Sequence, residues 1–227
     1  IDIMKNQIIK HSEHQFLEGD VEHWWHDENG SGIRTRFSDD LLWLVYVTLD
    51  YVYFSGTKDI LEIEVPYLQG QILEEGVDER YDKYAKSNVV EDIYNHCIRA
   101  IEHSLNFGEN GLPKIGSGDW NDGFSEVGNK GKGESVWLGF FLYNVLQRWI
   151  SICEEKKQEL EKESNVIMKE VDIQNEELEK QSDEEKDTKT AEIEVLKKET
   201  VQKKQEISDG QKKLEELEEL QGISLII

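Results

Sequence analysis

The 227-residue chain predicts an all-α protein, and three observations predict it. Apolar residues recur at helical spacing from Val89 to Leu105 and again from Glu134 to Glu154. The connections between such segments are long, polar and glycine-rich. The last third carries apolar residues on seven-residue spacings among Glu and Lys, a further helical pattern.

Taken in order, residues 1–17 read as a helix with Ile3, Ile8, Ile9 and Phe16 as apolar points, and 18–37 as a loop rich in Gly, Asp and Asn. Ser38 and Asp39 are N-cap candidates for an apolar helix over 40–54. That run also fits a buried strand; its length and the preceding cap favour helix. Thr57 or Lys58 opens another helix that Pro66 kinks or restarts, followed by a loop around Gly70 and Gly76. The helix over 89–105 shows Val90, Ile93, Cys97, Ile98, Ile101 and Leu105 on one face. Residues 106–133 form a long connection, of the length that compact domains reserve for function or disorder. An apolar helix over 134–154 closes this part. Leu160, Ile167, Val171 and Leu178, then Ile193, Leu196, Ile207, Leu214 and Leu217, outline a weak coiled-coil seam on either side of a polar break at 181–190. The domain reading is 1–153 for the compact part and 154–227 for a charged helical extension, open to a homo-oligomer or partner helix over 154–220, or to a plain solvated helix.

The formal charge is −23. Residues 154–227 hold 23 acidic and 13 basic side chains, so both parts are acidic. Such a surface argues against nucleic acid and anionic membrane as partners and leaves neutral sugars open. No stretch suits a membrane span, and no metal-ligand spacing links the six histidines. Cys97 and Cys153 read as buried free thiols, in keeping with a cytoplasmic location. The chain opens on Ile inside an amphipathic pattern, as a fragment of a longer protein would.

The run Gly116-Ser117-Gly118-Asp119-Trp120-Asn121-Asp122-Gly123 concentrates the chemistry. An indole stacks on the apolar face of a pyranose, and a carboxylic acid beside it can protonate a glycosidic oxygen. The flanking glycines permit the sharp turn that such convergence requires. On spacing alone, such a Gly-Asp run is more often a plain turn.

Around it stand Ile93–Ile101, Phe107-Gly108-Glu109-Asn110-Gly111-Leu112-Pro113 and Gly133-Glu134-Ser135-Val136-Trp137-Leu138-Gly139, with Trp24-Trp25-His26 and Gly32–Leu44 upstream. In this order and spacing, residues 5–153 resemble glycoside hydrolase family 94. That family holds inverting β-glycoside phosphorylases and the C-terminal domain of cyclic β-1,2-glucan synthases. The resemblance implies an (α/α)6 barrel, of which this segment would be an incomplete part. It implies Asp122 as the general acid, Trp120 as a donor-site aromatic, and an arginine and an aspartate from Arg34, Arg36, Asp39 and Asp40 holding donor hydroxyls. Arg34 and Asp40 are favoured without the pairs being resolved. Trp25 and His26 fit the same pocket, and Asp119 fits loop hydrogen bonding or proton chemistry equally. Glu134 reads as structural, at a helix start that favours an acid.

The implied reaction is inverting phosphorolysis of a β-linked glucoside, β-1,2-glucan foremost. Inorganic phosphate is then co-substrate, and no cofactor is needed. The rival readings are an inverting hydrolase on the same fold and a non-catalytic piece acting through its charged helix. The parent protein is expected in a bacterial cytoplasm, whether or not other segments attach it to a membrane.

Overall fold

The computed structural model describes residues 1–128, 130–178 and 183–224, with side chains over 1–128, 130–176 and 190–219. It divides into two compact units, Ile1–Val145 and Leu146–Gly222.

In the first unit, helices α1 (Asp2–Ser12), α2 (Asp40–Ser55) and α3 (Ile93–Ser104) pack against one another. The buried side of α2 carries Leu41, Leu42, Leu44, Val45, Thr48, Leu49 and Tyr51. Facing it, α3 buries Ile93, Cys97, Ala100 and Ile101. Asp92 caps α3 by accepting the Asn95 N–H at 2.9 Å. Gly56 ends α2 in the left-handed conformation. Both cysteines are buried and neither is in a disulfide. Burial pushes the Cys97 thiol up to about 12.

The all-α expectation holds for these helices and fails between them. The stretch read as a loop at 18–37 contains strands β1 (Glu22–His26) and β2 (Ser31–Thr35). Together with β4 (Glu79–Lys83) they form an antiparallel sheet in the order β1-β2-β4. The helix expected from Thr57 is a 3-10 turn, Asp59–Glu62, leading into β3 (Glu64–Gln69), which pairs with β5 (Ala85–Asp92). Helix α3 therefore starts at Ile93, later than the periodicity suggested. Pro66 sits in β3 next to a register irregularity, where a residue without an N–H fits a two-stranded ribbon. These strands are five to eight residues long; β1 and β2 pair as neighbours, while β4 and β5 pair with strands well before them in sequence.

A 3-10 turn at Asp122–Phe124 and the short helix α4 (Ser125–Gly128) precede α5 (Val136–Leu178). Instead of ending near Glu154, α5 runs on without interruption. Within the second unit, α6 (Asp183–Ser224) runs back along α5, because Lys203 donates to Glu163 at 2.6 Å. One continuous helix would hold those residues ~60 Å apart. Val171, Ile193, Leu214 and Leu217 of the expected seam are buried, with Ser164 and Thr200 among them. Of the expected polar break, 183–190 belongs to α6, while residues 181 and 182 and the side chain of Leu178 lie outside the described residues.

Candidate active site

The loop holding the Asp-Trp-Asn-Asp run is stitched to the start of α2. The Ser117 N–H donates to the Arg36 carbonyl at 3.0 Å, and the Ser38 N–H to that of Gly118 at 3.0 Å. The Ser38 hydroxyl adds bonds to the Ile115 and Gly118 carbonyls at 2.9 and 3.2 Å. Gly116 makes this approach possible: its φ is +63°, and a Cβ there would stand 1.9 Å from the Arg36 oxygen. Behind it, Glu134 accepts the Asn110 and Leu112 N–H groups at 3.1 and 3.0 Å, which ties the loop to the start of α5 and holds its carboxyl below the usual range. Residues 119–122 are thereby carried to the Asp39-Asp40 end of α2, eighty positions earlier in the chain.

His23 bridges the two segments. Its Nδ1–H donates to Asp40 Oδ2 at 2.8 Å, and its Nε2 lies 3.9 Å from Asp122 Oδ2. The ring stacks on Phe37, centroids 4.6 Å apart and planes 13° from parallel. The hydrogen bond to Asp40 raises the pKa of His23 against the opposing effect of burial, with Asp40, Asp122 and Asp39 adding charge attraction. Its position comes from a β-bulge: Glu22 pairs with Arg34 and Trp24 with Ile33, leaving His23 as the extra residue. Bulges re-aim a side chain out of the strand's alternation.

The remaining acids differ in environment. Asp122 is open, its side chain 68% exposed. Asp119 is buried and accepts the Ser135 hydroxyl at 2.5 Å. Asp39 occupies the N-cap position without capping; instead its Oδ2 accepts the Trp43 indole N–H at 2.9 Å. Burial lifts the Asp39 carboxyl to about 6, outweighing that bond, and Asp40 and Asp119 push the same way. Trp120, two residues before Asp122, is exposed, its centroid 6.1 Å from that of Trp137. Trp137 in turn lies 5.3 Å from Phe141, and Phe141 4.6 Å from Trp43.

The chain matches the glycosyl hydrolase 94 superfamily catalytic domain over residues 2–187. It belongs to that family. Over 156 residues, 68% of its length, this glycosyl hydrolase 94 chain is 41% identical to the cyclic beta-(1,2)-glucan synthase NdvB of Rhizobium meliloti (strain 1021). It is 29% identical over 120 residues, 52% of its length, to the solabiose phosphorylase of Paenibacillus borealis. Over 127 residues, 56% of its length, it is 25% identical to the N,N'-diacetylchitobiose phosphorylase of Vibrio furnissii. The matched stretch spans 6% of the synthase and 13% of each phosphorylase. Membership places the chain in a superfamily of glycosyl hydrolase catalytic domains.

Not every residue singled out in this family 94 sequence converges on Asp122. The guanidinium of Arg34 is buried, bound to Asp20 at 2.6 Å through Nε and again through Nη2, and to Glu18 at 2.9 Å. It lies over the Phe16 ring. Arg36 donates to the carbonyls of Leu73, Glu74 and Val77 at 2.8 Å each, pinning that loop. Both arginines line a cavity of about 620 Å³ with Phe37, Ser38, Leu41 and Lys114, and neither Asp122 nor Trp120 borders it. Trp25 stacks on His14 of the segment after α1 at 3.9 Å and donates to Asp27. His26 is exposed, edge-on to Trp24 and Tyr81. Asp39, Asp40, Asp119 and Asp122 do come together, and Trp120 lies in the same loop as the last two.

The sequence reading left out His23, Phe37, Trp43 and Trp137. Trp43 stands four residues after Asp39, the spacing of helical neighbours. A tryptophan one turn beyond a candidate sugar carboxylate was the available signal. For His23 there was none, because a bulge is defined only against its partner strand. Among the described residues no cluster of His, Cys, Asp or Glu is arranged to hold a metal ion, and no helix is long and apolar enough to cross a membrane.

Proposed function

We propose that Ile1–Val145 carries the proton-donating and sugar-holding groups for inverting phosphorolysis of β-linked glucosides, with β-1,2-glucan the first substrate to consider. The observation that carries this reading is the open Asp122 carboxyl, two residues after the exposed Trp120, with Asp40 joined to it through His23. In the reaction, a phosphate oxygen attacks the anomeric carbon from the face opposite the leaving group. The glycosidic C–O bond breaks, and Asp122 hands its proton to the departing oxygen. The product is an α-glucose 1-phosphate. Phosphate is anionic at neutral pH and needs no general base, so one catalytic carboxyl suffices. A hydrolase needs a second carboxylate, about 6.5–9.5 Å away, to activate water. Asp40 fits the holding of donor hydroxyls, as carboxylate–hydroxyl bonds are directional. The match to phosphorylases and to a glucan synthase supports the transfer chemistry. Helices α2, α3 and the start of α5 then fit part of an α-toroid.

The test is incubation with β-1,2-gluco-oligosaccharides with and without inorganic phosphate, followed by analysis of the product anomer. Phosphate-dependent appearance of α-glucose 1-phosphate is expected, with a loss of about 100-fold or more in Asp122→Asn at unchanged helicity. Sugar release without phosphate identifies a hydrolase instead. Full turnover by Asp122→Asn removes the assignment of the acid.

A further inference from the structure

The aromatic side chains at the site form a row rather than a single platform. From the loop, Trp120 leads to Trp137 and Phe141, one turn apart on α5, and across to Trp43 on α2 at centroid steps of 6.1, 5.3 and 4.6 Å. The two ends are the exposed members: Trp120 is 57% and Trp43 42% accessible, whereas Phe141 between them is buried. Two intervening rings keep the end indoles out of contact with each other. Carboxylates flank both ends, Asp122 two residues after Trp120 and Asp39 one turn from Trp43.

Trp43 is held in an orientation suited to stacking. Its indole N–H is already bonded to Asp39 Oδ2 at 2.9 Å, so what it offers outward is an apolar ring. Asp39 is itself buried, which fixes the ring against a side chain that cannot swing away. Ordinary packing of α2 against α5 accounts for Phe141. The Trp43 indole is left 42% open while Leu42 beside it is fully buried. Hydroxyl acceptors accompany the rings. Four aspartates, 39, 40, 119 and 122, crowd this end of the unit. A polyol uses such carboxylates as hydroxyl acceptors and the rings as stacking faces.

We propose that Trp43 is a second sugar platform, so that the site engages an oligosaccharide, with one glucose on Trp120 and another further along the chain on Trp43. This deepens the function proposed above and rests on it. The experiment is isothermal titration calorimetry of the whole chain with glucose and with β-1,2-gluco-oligosaccharides of two to six units, for wild type, Trp120→Ala, Trp43→Ala and Trp43→Phe. Wild-type affinity is expected to rise with length. In Trp43→Ala the advantage of the long over the short ligands collapses by about tenfold, and Trp43→Phe restores most of it. Circular dichroism checks that each variant is folded. If Trp120→Ala weakens binding while Trp43→Ala keeps the full dependence on length, the second platform is overturned and the catalytic reading stands. If no sugar binds to any form, both are overturned.

Discussion

Four aspartates within one small region take four different roles because their surroundings differ. Asp40 is charge-paired with His23, Asp119 is hydrogen-bonded to Ser135, Asp122 faces solvent, and Asp39 is buried with an indole as partner. For Asp39 the outcome is measurable. Its folded-state pKa of about 6 lies above the unfolded value of 3.8. The folded protein therefore binds a proton that the unfolded chain has released between pH 4 and 6, and stability falls as pH rises through that window. At neutral pH the cost is about 1–2 kcal/mol after allowance for solvent screening. Asp39→Asn is expected to be more stable than wild type at pH 7.5, with the difference shrinking to nothing or reversing near pH 4. Paired thermal unfolding curves at the two pH values check this. A difference independent of pH would show that Asp39 is ionised in the folded protein throughout. His23 loses one source of charge attraction in Asp39→Asn, so both proteins are compared in a His23→Gln background.

At the scale of elements, the site depends on a backbone seam between residues 36–38 and 115–118, and the seam depends on glycine. Gly116 sits at φ +63° with the Arg36 oxygen where a Cβ would go. Gly128 is as tight, its Cβ position 1.7 Å from the Gly116 oxygen. Gly76 has a similar φ of +80° but open space around it. Gly76→Ala thus meets only the left-handed penalty of about 1–2 kcal/mol. Gly116→Ala meets that penalty and must also break the seam, for a total of about 3–4 kcal/mol. Urea unfolding of the two variants separates the contributions, and equal losses would mean that the seam is not what holds the loop. In the first unit the strands do related work. Ribbon β3–β5 delivers the chain into α3, and sheet β1-β2-β4 holds the bulge that aims His23 at Asp40.

For the whole molecule, 49 acidic residues face 26 basic ones. Exposed ion pairs such as Lys203–Glu163 and Lys86–Glu13 exist in both units, yet each contributes about 0–1 kcal/mol. Acids outnumber bases almost two to one, so net repulsion dominates the electrostatics of the compact state. Raising NaCl from 10 to 300 mM is expected to increase the melting temperature by a few degrees as the Debye length falls from about 30 Å to under 8 Å. A melting temperature that drops with salt would show that the ion pairs outweigh the repulsion. The same excess of acid makes neutral saccharides a better match than nucleic acid or anionic lipid for the exposed aromatic row.

Read alone, the amino-acid order established the helices α2, α3 and the start of α5, the Asp-Trp-Asn-Asp loop, and the family. These rest on local features: periodicity within one segment, a turn within eight residues, and short motifs in a set order. It missed the five strands, because a bulge breaks the alternation of β1, β5 is exposed along most of its length, and β2 and β4 pair residues 44 to 52 apart in the chain. It also left open which arginine and which aspartate matter. Folding separates Asp39 from Asp40 by burial and by the reach of His23, and it commits the guanidinium groups of Arg34 and Arg36 to carboxylates and carbonyls of neighbouring segments. Only the assembled chain settles such matters, since a side chain's charge state and free face are set by atoms that the local sequence does not contain.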